Sequence, residues 1–170
     1  IIFTSTSKIT FPGAGVAVEA ASPNNVSLLK ERMKYQTIGP DKLNQLRHAR
    51  MFKTPADIER HMKRHADILR PKFETVISEL EKQLDGTGIA RWTNPRGGYF
   101  ISLYVLDGCA KRVEQLCANA GMILTPAGAT YPYGVDPDDS NIRIAPSYPS
   151  VEEIEKASVV LCTAVKYAAL

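Results

Sequence analysis

The 170 residues carry 21 Lys and Arg against 18 Asp and Glu, a net charge of +3 scattered along the chain, and 44% of them are hydrophobic. So mild a balance argues against a nucleic-acid binder, the apolar content suffices for a real core, and no apolar run is long enough to cross a bilayer. The three cysteines, Cys109, Cys117 and Cys162, lie singly in apolar helical patterns, which speaks against a disulfide framework or a metal site and for thiols in a reducing compartment, with the cytoplasm as the expected location.

The chain opens on Ile1-Ile2-Phe3, without a methionine and inside an apolar run that reads as a buried strand, so it is expected to be the C-terminal part of a longer polypeptide. The strand leads into Thr4-Ser5-Thr6-Ser7-Lys8-Ile9-Thr10-Phe11-Pro12-Gly13-Ala14-Gly15, with one lysine inside a run of hydroxyl residues before a glycine turn. Lys8 stands where the strand ends, the place where open α/β sheets bind ligands. A lysine amine that loses hydration there can form a Schiff base with an aldehyde, and the hydroxyls of Ser5 and Ser7 can bind a phosphate. By residue chemistry alone the same stretch also reads as a solvated connection. Val16 to Ala20 reads as a second strand, and Ser22-Pro23 as the start of a helix, with proline at its first position.

The pattern Ser5-Thr6-Ser7-Lys8, followed by Gly13-Ala14-Gly15-Val16, resembles the cofactor-lysine segment of the fold-type I pyridoxal-phosphate enzymes of the class I aminotransferase group. The resemblance implies an α/β chain of the PLP-dependent transferase fold. Residues 1–53 would end the large cofactor-binding domain, 54–86 form a long connecting helix, and 87–170 form the small C-terminal α/β domain. It also implies that Lys8 carries pyridoxal 5′-phosphate and moves the substrate's α-proton, with Ser5, Ser7 and Gly15 as cofactor contacts. Many relatives carry an arginine eight residues after the lysine to pair with the phosphate; here that position is Val16.

Ile38-Gly39-Pro40-Asp41-Lys42 followed by Asn44-Gln45-Leu46-Arg47-His48 is similar to a branch of aspartate aminotransferase-like proteins. From that likeness Lys42, Asn44 and Arg47 are candidates for a substrate's distal carboxylate; a polar helix face turned to solvent is the competing reading. Thr54-Pro55-Ala56-Asp57 signals the start of a long amphipathic helix, which Pro71 should kink. His61 and His65, one turn apart on it, read as solvated histidines rather than a metal pair.

Gly97-Gly98-Tyr99-Phe100 is a turn or bulge signal that resembles the aminotransferase segment opening the small domain's sheet, where the glycines, Gly98 among them, let backbone approach substrate. Met122 to Pro126 reads as a further short strand. In Asn141-Ile142-Arg143-Ile144 the arginine alternates with apolar residues on a core-like strand, and its planar guanidinium suits bidentate capture of a carboxylate. Family likeness assigns Arg143 the α-carboxylate of the amino acid; by residue chemistry alone it also reads as an arginine on the wet face of a half-buried strand. Ser150 and Glu153 form a capping-box pattern before the last helix. The expected activity of the parent protein is transamination between an amino acid, with aspartate or glutamate favoured, and a 2-oxo acid, in a homodimer without metal. The alternatives are a lyase using the same cofactor, a ligand-sensing domain of a transcription regulator, and a noncatalytic binding module.

Overall fold

The computed structural model describes residues 1–170, which form two compact units, Ile1–Asp67 and Ile68–Leu170. The division falls within a single long helix, α3 (Pro55–Leu84). Pro71 lies inside α3 without ending it. Having no N–H, Pro71 leaves the carbonyl of Asp67, the last residue of the first unit, without its helical donor.

In the first unit, β1 (Ile2–Ser5) and β2 (Ala17–Ala20) pair antiparallel, with Ile2 opposite Ala20 and Ser5 opposite Ala17. The expected strand at the start of the chain is present, but it is not buried: Ile2 and Phe3 are 69% and 70% exposed. A two-stranded ribbon has no third strand beside it, and no element of this chain covers its faces. Helix α1 (Pro23–Met33) begins at Ser22 with proline in its first turn, and α2 (Lys42–Met51) is capped by the Asp41 carboxylate accepting from the N–H of Asn44. At the start of α3 the Asp57 carboxylate accepts from the N–H of Thr54, while Thr54 Oγ1 accepts from the N–H of Asp57. Two of the orphan donors of the helix terminus are satisfied in this way.

In the second unit, β3 (Ala90–Trp92), β4 (Ile101–Val105) and β5 (Asn141–Ile144) form an antiparallel sheet in that order. Side chains alternate along β4, so Ile101, Leu103 and Val105 are buried and Ser102 and Tyr104 face the other way. Val76, Ile77, Leu80 and Leu84 of α3, with α4 (Ala110–Asn119) and α5 (Val151–Ala168), supply the rest of the core. The second half of α3 is thus a wall of this core. The predicted strand at Met122 to Pro126 is not formed. Its first N–H, that of Met122, is bonded to the Cys117 carbonyl in the C-terminal cap of α4, while Met122 and Leu124 pack on the core and Ile123 stays exposed. Ser150 and Glu153 make the predicted capping box on α5.

Candidate functional site

The residues singled out by the sequence fall into two polar constellations, each built within its own unit. In the first, the backbone closes one turn after β1: the N–H groups of Ile9 and Thr10 donate to the Thr6 carbonyl at 2.9 and 2.8 Å. The N–H of Thr6 donates to the Val16 carbonyl at 2.9 Å, and the N–H of Val16 returns to Thr6 Oγ1 at 2.8 Å, joining the two ends of the loop between β1 and β2. Val16 therefore serves through its backbone. Lys8 lies at the exposed crest of this turn.

Ser5 and Ser7 converge beside Lys8, their hydroxyl oxygens 2.7 Å apart, with the N–H of Ser7 donating to Ser5 Oγ at 3.1 Å. Gly15 presses on the same place: a Cβ there would stand 2.3 Å from Ser7 Oγ and 2.8 Å from the Ser7 backbone. The loop from Thr4 to Gly15 contains no carboxylate. Its side chains are one amine and several hydroxyls, a donor set suited to an anion.

Helix α2 is tied to this loop. Buried Asn44 donates from Nδ2 to the Gly15 carbonyl at 3.2 Å and accepts at Oδ1 from Arg47 at 2.8 Å. The Arg47 guanidinium lies 5.1 Å from the ring centre of Phe11. Both polar ends of the Asn44 side chain are therefore occupied within the chain, Arg47 is exposed and spends one donor on Asn44, and Lys42 is exposed at the first position of α2.

His61 and His65 are not the solvated pair expected. Both are half-buried, their rings 4.3 Å apart, and His61 also meets Phe11 and Phe52. Apolar rings on the neighbouring loop and helix end give the imidazoles a surface to pack on, which spacing along one helix does not reveal. Thr6, Thr10 and His48 lay within the motifs read from the sequence but were given no role there. Their one local signal was the spacing of the two threonines, i and i+4, which lets one hydroxyl reach the other across a single turn.

In the second unit, Arg143 on β5 stands opposite Ser102 on β4, on the polar face of the sheet. Asn141 shares that face two residues away. Its Nδ2 donates to Ser102 Oγ at 2.8 Å, and its Oδ1 accepts from the Thr130 hydroxyl at 2.6 Å. The Asp136 carboxylate accepts from the N–H groups of Asn141, Ser140 and Asp138, so that, although burial opposes its charge, its carboxyl titrates below the usual range. This turn fixes the start of β5. The half-buried Arg143 guanidinium lies 4.6 Å from the Phe100 ring centre, and its Nε is buried with no hydrogen-bond partner. An orphaned N–H on a guanidinium is what an incoming carboxylate satisfies. Gly98 precedes Phe100 in the left-handed region at φ +89°, with open space where a Cβ would be.

The family model described as aspartate amino-transferase matches residues 1–170. The chain is 47% identical over 167 residues to an aspartate aminotransferase of Corynebacterium glutamicum, covering 98% of this chain and 39% of that protein. It is 46% identical over 169 residues to a Mycolicibacterium smegmatis protein provisionally named an aminotransferase, covering 99% and 40%. The crystal structure of an aspartate transaminase from Corynebacterium glutamicum matches with a TM-score of 0.93 at 47% identity, covering 98% of this chain and 39% of that one. The chain thus spans about 40% of the length of the curated relatives it matches. The observed α/β fold is the one the resemblance implied, that of the pyridoxal-phosphate-dependent transferases. With every residue inside the family model and identities near one half over nearly the whole chain, the chain belongs to the aspartate amino-transferase family.

Proposed function

We propose that the protein carrying this chain is a pyridoxal-phosphate-dependent aminotransferase that moves an amino group between an amino acid and a 2-oxo acid, with aspartate or glutamate as donor. The observation that carries this reading is the Lys8 turn, an exposed amine beside the paired hydroxyls of Ser5 and Ser7, with Gly15 held against Ser7. These groups fit the cofactor: an amine for its aldehyde, hydroxyls for its phosphate, no carboxylate to repel it, and a glycine at the one place where a side chain would fill the cradle.

When bound, pyridoxal phosphate supplies the electron sink that lets a proton leave the α-carbon of an amino acid. Lys8 Nζ would hold the cofactor through its aldehyde and, as a free amine, would accept and return the proton of the substrate's α-carbon. Ser5 and Ser7 would donate to the cofactor's phosphate. Arg143 clamps the α-carboxylate, its Nε and terminal N–H groups forming the planar fork that fixes a carboxylate in two bonds. That clamp sets the orientation of the C–H bond that breaks, a gain in rate through positioning. Phe100 backs the guanidinium with an aromatic face. Arg47 and Lys42 are the cations of α2 offered for a distal carboxylate, Asn44 orients Arg47, and the left-handed backbone at Gly98 leaves room for substrate.

Identity of 46–47% to aminotransferases supports transamination over a lyase or a sensing domain. In this reading residues 1–53 close the large domain, 54–86 join it to the small one, 87–170 make the small domain, and the intact protein works as a homodimer in the cytoplasm. The test is the absorption spectrum of the intact protein reconstituted with pyridoxal phosphate, with and without Lys8→Ala. A visible band that survives dialysis in the parent and is lost in the variant supports the reading; free cofactor alone in both defeats it.

A further inference from the structure

Thr10 is 2% exposed, the most buried polar residue of the first unit, and it stands two positions after Lys8. Two helices grip it. His61 of α3 donates from Nε2 to the Thr10 carbonyl at 3.1 Å, and His48 of α2 has Nε2 2.8 Å from Thr10 Oγ1. The other nitrogen of His48, Nδ1, faces the Asn44 carbonyl at 2.9 Å. A carbonyl can only accept, so Nδ1 carries the hydrogen, and in the neutral ring Nε2 is left as an acceptor.

The single hydroxyl hydrogen of Thr10 therefore has three acceptors within reach: the Thr6 carbonyl at 3.1 Å, Thr6 Oγ1 at 3.0 Å and His48 Nε2 at 2.8 Å. Thr6 Oγ1 is at the same time the acceptor that holds Val16 and closes the loop, and it lies 3.4 Å from the same His48 nitrogen. The imidazole thus sits at the back of the turn whose crest is Lys8, bonded to both threonines that define that turn. Around His48 the charged or titratable groups are Arg47, stacked on Phe11, and His61, which meets Phe11 and Phe52; Phe11 and Phe52 themselves pack on the His48 ring.

We infer that His48, acting through Thr10, is a positioning residue for Lys8: it fixes the turn that aims the amine, without itself touching cofactor or substrate. This rests on the reading of Lys8 as the cofactor lysine. Lys8 is exposed on the crest while Thr10 is buried at the base, so the clamp on Thr10 acts on the backbone turn that carries the amine. Asn44 couples the clamp to the cradle, since its carbonyl fixes the His48 tautomer while its side chain holds the Gly15 carbonyl.

The experiment compares two pairs of variants in the intact protein. Thr10→Val removes the hydroxyl at constant shape, and Thr10→Ser keeps it. His48→Phe removes the acceptor but keeps the ring packing, and His48→Gln restores an acceptor at the reach of Nε2. Three quantities are read: the rate at which bound pyridoxal phosphate is lost on dilution, the pH midpoint of its visible band, and, without cofactor, the rate at which an acylating reagent labels Lys8, followed by peptide mass mapping. In Thr10→Val and His48→Phe we expect cofactor loss about fivefold faster, the worth of one net hydrogen bond, with a displaced band midpoint and altered Lys8 labelling. Thr10→Ser and His48→Gln should stay close to the parent in all three. Parent-like values in Thr10→Val and His48→Phe overturn the inference, as does equal damage in all four variants, which would mark a role in folding only. Lys8→Ala separates the two claims: a band that persists in it defeats the cofactor reading, whereas its loss alongside unaffected Thr10 and His48 variants defeats only the positioning role.

Discussion

Gly15 lies so close to Ser7 that a Cβ on it would stand 2.3 Å from the Ser7 hydroxyl oxygen and 2.8 Å from the Ser7 Cα and N. The hydroxyl could rotate away, but the backbone could not. Gly15→Ala should therefore push Ser7 out of register and weaken retention of pyridoxal phosphate by the intact protein on the order of tenfold or more, the scale of an overpacking penalty. Gly13→Ala is the control. Gly13 has open space around its missing Cβ and a φ of +72°, so its substitution costs only local strain of about 1 kcal/mol and should leave the cofactor in place. Equilibrium dialysis of the two variants checks both halves.

Arg143 provides the second prediction. Its Nε is buried and unpartnered, and its guanidinium is backed by Phe100. Arg143→Ala should raise KM for the amino acid on the order of a hundredfold, as expected when one member of a charged hydrogen-bonded pair is removed. Arg143→Lys should recover little of it, because an ammonium cannot reproduce the planar fork. Steady-state kinetics of the intact protein with the amino acid varied at saturating oxo acid would decide, and an unchanged KM would remove Arg143 from the site.

His65 should make stability depend on pH. Partial burial, then the neighbouring His61 and Arg64, hold its folded pKa below the usual 6.5. The unfolded chain therefore binds the proton more readily than the folded one. The contribution of neutral His65 is fully present above pH 6.5 and is lost as pH falls from there through the lower folded value. Thermal unfolding of the intact protein should show His65→Gln losing less stability than the parent between about pH 7.5 and about pH 5.5, a window that spans the usual histidine range. Equal losses in both proteins would contradict this.

Cys117 and Cys162 should be inert. Burial pushes each thiol up to about 11, so neither supplies the thiolate that reacts. Cys109, half-buried with its sulfur 3.4 Å from the Ala168 carbonyl, is the more accessible of the three. Alkylation of the native intact protein followed by peptide mass mapping should modify Cys109 first and reach Cys117 and Cys162 only after denaturation.

Much of this molecule was written locally in the chain. Ser150 and Glu153 cap α5 as their spacing demands, and Thr54 with Asp57 caps α3, because a cap is made by residues three apart and needs nothing distant. Arg143 faces away from Ile142 and Ile144 because successive side chains on a strand alternate, so its place on the polar face was legible too. The Lys8 segment was singled out by its likeness to the cofactor-lysine pattern, because its residue chemistry alone also fits a solvated connection.

What the sequence could not decide was what lies beside these pieces. Ile2 and Phe3 are apolar and lie in β1, yet they stay exposed, since burial depends on neighbours that local pattern does not supply. Met122 to Pro126 has the composition of a strand, but its leading N–H is drawn into the cap of α4, and the three-stranded sheet forms without it. The histidines show the same limit most clearly. His48, His61 and Thr10 are separated by up to 51 positions, and only the folding of α2 and α3 against the loop after β1 gives the two imidazoles a single threonine to hold. Local pattern thus set the helix caps and the face of β5 that Arg143 occupies, and long-range packing chose the groups that hold the turn beneath Lys8 and the strand beneath Arg143.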